Sequence, residues 1–176
     1  MSDQPLVSDQ PHKASIMLRI RTILHPTDFS ESSTQALQVA RSLARDHGAR
    51  LVLLTVPPPP PPVNEHYLPD AEYPGIVESS RREVNALAAA ITDVPVETRV
   101  VSGSPGAAIV QVALDCQADL IVMGTHGRTG LGRLLMGSVA EHVLRHAPCP
   151  VLSIKPGAAA KWSTSEEAAA PAACST

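Results

Sequence analysis

The segment from 124 to 138 concentrates the residues of this chain that are best suited to chemistry. It reads GTHGRTGLGRLLMGS and holds five of the ten glycines in the sequence. Glycine lets backbone N–H groups approach a ligand closely, while Arg128 and Arg133 add positive charge and His126 adds a donor. A helix that starts near Ser138 would present unpaired N–H groups and the positive end of its dipole. The segment therefore predicts a site for an anion such as phosphate.

The glycine spacing excludes the two commonest nucleotide-binding glycine motifs. No G-x-x-x-x-G-K-[ST] sequence occurs, so the segment is not a P-loop. The dinucleotide fingerprint that begins at Gly130 and Gly132 would need glycine or alanine at position 135, which is Leu135. The spacing present is Gly-x2-Gly-x9-Gly-Ser. A capping box of Ser138 with Glu141 is the alternative explanation, in which the serine only starts a helix.

Apolar runs that alternate with amphipathic patterns predict the elements that position this segment. We expect strands at 18–25, 51–56, 95–101, 119–123 and 150–155, and helices at 32–48, 74–92, from 104 and at 138–146. The first strand should end at Pro26, which has no N–H. Ser32 with Gln35 fits a capping box, and Ser104 fits an N-cap before Pro105. The pattern predicts a single-domain α/β fold, with a five-stranded parallel doubly wound sheet of order 3-2-1-4-5 and helices on both faces.

Ligands of such sheets bind beyond the carboxyl ends of the strands, where the strand order reverses. The tetrapeptide HPTD at 25–28 lies at one of these ends, and the glycine-rich segment lies at another. Asp28 either caps its own turn or contacts the ligand. His25 is expected to be a packed or hydrogen-bonded histidine at the core edge. His142 and His146 have a spacing that can hold a metal, but a third ligand is lacking, so a helix-surface role is expected.

Composition limits the class of protein. Hydrophobic residues make up 44%, aromatic residues 2%, and the formal net charge is −3. The chain lacks the basic stripe and stacking platforms that nucleic-acid binding requires. Neither a signal peptide nor a membrane span is visible, so we expect a cytoplasmic protein. We expect a flexible arm at 1–17, a nucleotide-binding domain at 18–156 and a flexible tail at 157–176, while six prolines at 57–62 form a stiff spacer or a docking site.

The chain resembles the universal stress protein family, in its ATP-binding branch. The resemblance rests on PTDFS at 26–30, on the strand end at 53–56, on the G-x2-G-x9-G-S spacing and on the run DLIVMGTHGRTGLGRLLMGSVAEHVLRHAPCPVLSIKP. The proline run and the Ala-rich tail are departures from the family pattern.

The resemblance implies a nucleotide site built from several points of the chain. Its residues would be Pro26, Thr27 and Asp28 near the adenine and ribose, Val56 against the adenine, Met123 and Gly124 at the sugar, and His126, Gly127, Arg128, Gly137, Ser138 and Val139 around the phosphates. It also implies ATP with Mg²⁺, and a homodimer through the strand from Val151 to Lys155. The expected function is an ATP-binding regulator of a stress response. The alternatives are a slow ATP hydrolase or phosphotransferase, and a nucleotide-free dimeric adaptor.

Overall fold

A computed structural model describes residues 19–58, 73–125, 136–155 and 157. In this part of the chain, strands and helices alternate in the order β1 (Thr22–Thr27), α1 (Glu31–His47), β2 (Arg50–Thr55), α2 (Tyr73–Ala89), β3 (Val96–Val100), α3 (Pro105–Asp115), β4 (Leu120–Gly124), α4 (Ser138–His146) and β5 (Val151–Ile154). The predicted arm, most of the proline run and nearly all of the tail lie outside these residues, so the predicted domain boundaries stay predictions.

All five strands are parallel, and their order in the sheet is β3-β2-β1-β4-β5. This confirms the predicted fold. From β1 the chain builds the sheet outward through β2 to β3, and then returns to the other side of β1 with β4 and β5. The strand order therefore reverses between β1 and β4, which is where this class of sheet opens a crevice.

Two apolar cores lie on the two faces of the sheet, because successive strand residues point to opposite faces. Ile23, Leu53 and Val122 belong to the core that α1 and α2 cover. Leu24 and Ile121 belong to the core that α3 and α4 cover. The central strands are buried on both faces, which explains their nearly uninterrupted apolar sequences.

The prediction that the first strand ends at Pro26 is wrong. β1 pairs with β2 as far as Thr27, opposite Thr55, whereas it pairs with β4 only at Ile23 and Leu24. In the β4 register, the next donor to the Val122 carbonyl would be the amide of residue 26, and proline has no amide hydrogen. Pro26 therefore ends the pairing on one side of the strand and leaves the other side intact.

The imidazole of His25 takes over the bond that Pro26 cannot make. His25 is fully buried, and its Nδ1 lies 2.8 Å from the Val122 carbonyl oxygen. This agrees with the expected role of a hydrogen-bonded histidine at the core edge.

The predicted capping box at Ser32 and Gln35 is also wrong. α1 begins at Glu31, and its N-cap is Ser30, whose hydroxyl accepts a hydrogen bond from the Ser33 amide at 3.2 Å. Ser32 is thus the second residue of the helix. The chain turns earlier than the pattern indicates because a turn at 27–30 leads directly from β1 into the helix.

Of the two caps predicted for α3 and α4, the first is confirmed and the second is wrong. Ser104 is the N-cap of α3 and Pro105 is its first residue, as predicted, although the serine side chain makes no capping bond. The N-cap of α4 is Gly137, and Ser138 is the first helical residue, so Ser138 does not cap this helix. The Gly137 amide instead donates to the Thr125 carbonyl at 2.8 Å, which ties the start of α4 to the end of β4.

Candidate functional site

A cavity of about 260 Å³ opens at the carboxyl ends of β1, β2 and β4, beside the first turns of α3 and α4. This is the crevice that the reversal of strand order predicts. Its lining residues are Pro26, Thr27, Asp28, Ser33, Leu54, Val56, Pro105, Ile109, Met123, Gly124, Thr125, Gly137, Ser138, Val139 and Ala140.

The structure brings together every predicted site residue that it describes. Twelve residues were predicted from the sequence, and His126, Gly127 and Arg128 lie outside the described residues. The other nine line this one cavity: Pro26, Thr27, Asp28, Val56, Met123, Gly124, Gly137, Ser138 and Val139. Their contact with a nucleotide stays a prediction.

Strand register explains why residues distant in sequence meet here. Pro26 lies opposite Leu54 in the sheet, so Val56 follows at the same edge. Met123 and Gly124 end β4 on the other side of β1. Gly137 lies at the same edge, where its amide bonds the Thr125 carbonyl. Three strand ends and the start of α4 therefore supply one rim, because parallel strands all end on the same side.

One wall of the cavity is apolar. Leu54, Val56, Ile109, Met123 and Val139 line it, and all five pack in or against the core under α3 and α4. Branched and thioether side chains of this kind suit a flat, apolar group such as a nucleobase.

Two of these wall residues, Leu54 and Ile109, were not predicted as site residues from the sequence. Leu54 lies two positions before Val56, and period-two alternation could have placed it on the same face. Ile109 lies one turn into α3, after Pro105, and its approach to β2 depends on helix packing that no local pattern reveals. Ser33, Pro105, Thr125 and Ala140 are the other lining residues that were not predicted.

The turn that joins β1 to α1 also lines the cavity, through Thr27 and Asp28. The Asp28 Oδ1 atom accepts hydrogen bonds from the Ser30 amide at 3.1 Å and from the Ser30 hydroxyl at 2.7 Å. Phe29 adopts a left-handed conformation with φ of 62°, and its amide donates to Thr27 Oγ1 at 3.1 Å. Asp28 thus caps its own turn and also borders the cavity, so the two alternatives for this residue are compatible.

Gly124 stands where a side chain would not fit. A Cβ atom at this position would collide with the Ser32 hydroxyl and would lie 3.1 Å from the Ser32 carbonyl carbon and oxygen. The Ser32 hydroxyl is buried and has no hydrogen-bond partner among the described residues. The first turn of α1 therefore packs directly on the backbone at the end of β4.

The first turn of α4 supplies the features that an anion requires. Ser138, Val139 and Ala140 line the cavity, and amides in the first turn of a helix have no acceptor within the helix. These amides and the helix dipole favour a negative group at this rim. Among the lining residues described, Asp28 is the one with a titratable side chain.

The other candidate groups show structural roles. His142 and His146 are exposed, their rings stack with centroids 4.4 Å apart, and His146 Nδ1 lies 2.8 Å from the His142 carbonyl oxygen. Cys116 and Cys149 are free thiols, and burial raises the pKa of each above its ordinary value. In the part of the chain that the structure describes, no group of three or more metal-ligating side chains occurs, and no helix has the length and apolar character of a membrane span.

Comparison with known proteins assigns the family. The sequence model of the universal stress protein family matches residues 19–155. A universal stress protein of Thermus aquaticus, encoded 3′ of a sulfhydrylase gene, is 38% identical over 145 residues, which are 77% of this chain and 98% of that protein. A universal stress protein family structure from Burkholderia pseudomallei has a TM-score of 0.64, 34% identity, and coverage of 77% of this chain and 96% of that one.

A crystal structure of a universal stress protein in complex with cAMP gives a TM-score of 0.56 at 31% identity, and covers 78% of this chain and 98% of that chain. The family match spans most of the sequence and the similar structures share its fold. The chain belongs to the universal stress protein family.

Proposed function

We propose that this chain binds ATP at the cavity and that the bound nucleotide acts as a regulatory signal in a cytoplasmic stress response. The observation that carries the proposal is the convergence of nine predicted residues, from four separate segments, around one cavity. A related protein of the same family binds cAMP, which supports an adenine nucleotide as the class of ligand.

The cavity lining offers two kinds of contact, apolar side chains and helix amides, which suit the two parts of a nucleotide. The wall of Leu54, Val56 and Ile109 suits the adenine, because it removes an aromatic ring from water. The amides at the start of α4 suit the phosphates, because they are donors with a favourable dipole. His126, Gly127 and Arg128, which follow β4 in the sequence, are proposed to complete the phosphate contacts.

A Mg²⁺ ion would accompany ATP and offset the charge of its phosphates. Mg²⁺ in nucleotide sites is usually held by phosphate oxygens, water and one or two carboxylates. Among the described lining residues, Asp28 is the one with a carboxylate, and the sequence predicts no metal ligand.

Regulation fits this site better than rapid catalysis. Phosphoryl transfer needs a residue that positions the attacking group, and the Asp28 Oδ1 atom is already engaged by Ser30. We therefore expect phosphate release well below about 1 s⁻¹, the low end for enzymes. A phosphate-release assay checks this, and turnover above that rate, lost in Ser138→Ala, would favour the hydrolase instead.

Titration calorimetry of the full chain with ATP, AMP, cAMP, adenosine and tripolyphosphate tests the proposal. We expect one ATP per chain, bound more tightly than adenosine or tripolyphosphate alone, because each of these makes only one of the two kinds of contact. Tighter binding of cAMP than of ATP would replace the proposed ligand. No binding of any adenine nucleotide would favour the nucleotide-free adaptor and reject the proposal.

We also propose a homodimer through β5 and Lys155. β5 pairs with β4 on one side and forms an edge of the sheet, and Val151, Leu152 and Ser153 are only partly buried. An open edge can pair with a second copy. Sedimentation equilibrium should give twice the chain mass of 18.5 kDa, and a monomer mass across micromolar concentrations would reject the dimer.

A further inference from the structure

Three polar side chains form a connected group at the cavity wall formed by β1 and α1. His25 is fully buried, Ser33 is 4% exposed and Thr27 is 7% exposed. The Ser33 hydroxyl lies 2.8 Å from Thr27 Oγ1 and 3.5 Å from His25 Nε2. Thr27 and Ser33 line the cavity, whereas His25 lies behind them.

The protonation of the His25 ring determines which atoms of this group donate hydrogen bonds and which accept them. His25 Nδ1 faces the Val122 carbonyl oxygen at 2.8 Å, and a carbonyl can only accept, so Nδ1 carries the hydrogen. Burial lowers the pKa of His25 to about 4, against the opposing effects of the Val122 bond and the Asp28 charge, so the ring is neutral at pH 7. Nε2 is then an acceptor and cannot donate to Ser33.

The Ser33 hydroxyl hydrogen has two acceptors within reach. The Thr27 oxygen at 2.8 Å is at the usual length of an O–H···O bond, whereas Nε2 at 3.5 Å is at the limit of a hydrogen bond. Ser33 therefore donates to Thr27. The Phe29 amide also donates to the same oxygen at 3.1 Å.

A hydroxyl oxygen has two acceptor positions and one hydrogen. Ser33 and Phe29 donate to both acceptor positions of the Thr27 hydroxyl. The Thr27 hydroxyl can therefore interact with a ligand only as a donor. We infer that Thr27 presents a hydrogen-bond donor to the ligand, and that the ligand atom which meets it is an acceptor, namely a ring nitrogen of the base or a ribose oxygen. The inference rests on the proposed nucleotide site. Thr27 is then a specificity-determining residue, and Ser33 is a positioning residue that acts through it.

Thr27→Val tests the donor, because it keeps the shape of the side chain and removes the hydroxyl. ATP should bind about fivefold more weakly to this variant, the value of one hydrogen bond of about 1 kcal/mol. Thr27→Ser, which keeps the hydroxyl and the acceptor for Phe29, should bind ATP nearly as the wild type does. Thermal unfolding of both variants shows that each is folded at the assay temperature.

Analogues of ATP identify the acceptor. In the 1-deaza, 3-deaza, 7-deaza, 2′-deoxy and 3′-deoxy forms one nitrogen or hydroxyl is missing. One of these analogues should bind equally to wild type and Thr27→Val, because it lacks the atom that accepts the hydrogen bond from Thr27. In Ser33→Ala, Thr27 regains an acceptor position, so the affinity ratio between ATP and that analogue should shrink. A purely structural role for Ser33 would leave the ratio unchanged and reject its positioning role.

The outcomes separate this inference from the proposed function. If the wild type binds no adenine nucleotide, the proposed function fails and the inference with it. If the wild type binds ATP and Thr27→Val binds it equally well, only the inference is wrong. If Thr27→Val weakens ATP and every analogue by the same factor, Thr27 acts through packing and donates no bond, which also overturns the inference.

Discussion

Acidification from pH 7 to pH 4 is expected to lower the free energy of unfolding by about 3 kcal/mol through His25 alone. The pKa of His25 falls from 6.5 to about 4 on folding, because the ring is fully buried. A shift of one pKa unit corresponds to about 1.4 kcal/mol. Between pH 6.5 and 4 the unfolded chain binds a proton that the folded chain does not, so stability rises with pH in this window. The contribution of neutral His25 to the free energy of unfolding is fully present above pH 6.5. It is lost as the pH falls to 4 and does not change further at lower pH.

Urea unfolding of wild type and His25→Asn at several pH values between 7 and 4 measures this effect. Asparagine retains an N–H donor for the Val122 carbonyl but does not titrate. We expect the variant to show a much flatter dependence of stability on pH within this window. The carboxylates of the chain are common to both proteins, so the difference between the two curves reports His25. Equal losses of unfolding free energy in wild type and His25→Asn would contradict the assignment of this pH dependence to His25.

Gly124→Ala is expected to lower the free energy of unfolding by about 2 kcal/mol, the usual cost of forcing an extra methyl group into a packed site. The new Cβ would meet the hydroxyl and the backbone of Ser32. Ser32→Ala alone should be nearly neutral, because its hydroxyl has no partner among the described residues. The double variant should recover part of the loss, since one of the two contacts is relieved.

Urea denaturation of the two single variants and the double variant gives their coupling energy. We expect at least about 0.5 kcal/mol, which is typical of residues in contact. Gly75→Ala is the matched control: it lies in α2 with nothing within 4 Å of its added Cβ, so it should stabilise by about 0.5 kcal/mol. Strictly additive effects of the changes at 32 and 124 would show that contact with the Ser32 side chain is not what destabilises Gly124→Ala.

The parallel sheet with helices on both faces could be predicted from the alternation of strands and helices and from crossover handedness, which are global rules. The site residues were expected from the resemblance to the universal stress protein family. Nine of them line one cavity because the parallel sheet brings its strand ends to one edge. The bond from His25 to Val122 could not, because it joins residues 97 positions apart. It depends on the one-sided loss of pairing at Pro26, which becomes visible only when both neighbours of β1 are known.

The caps show a different limit of sequence reasoning. Serines at 30, 32 and 33 all precede an apolar helical face, and each could begin the helix. Ser30 is the N-cap because the turn at Asp28 and Phe29 fixes where the chain leaves β1. For the same reason Gly137 precedes Ser138 at α4, where a bond to Thr125 sets the start of the helix. Local tertiary contacts select among equivalent patterns.

The most direct test of the proposed ATP site is calorimetric titration of ATP into wild type, Gly137→Asp and Gly137→Asn. Gly137 is the N-cap of α4 and lines the cavity, and both Asp and Asn are good N-cap residues, so the helix should persist in each variant. Only Asp places a negative charge beside the phosphates. We predict that the wild type binds ATP and that Gly137→Asp binds it at least about tenfold more weakly than Gly137→Asn, a difference of about 1.4 kcal/mol. Equal affinity of the two variants, or no binding by the wild type, would contradict the account.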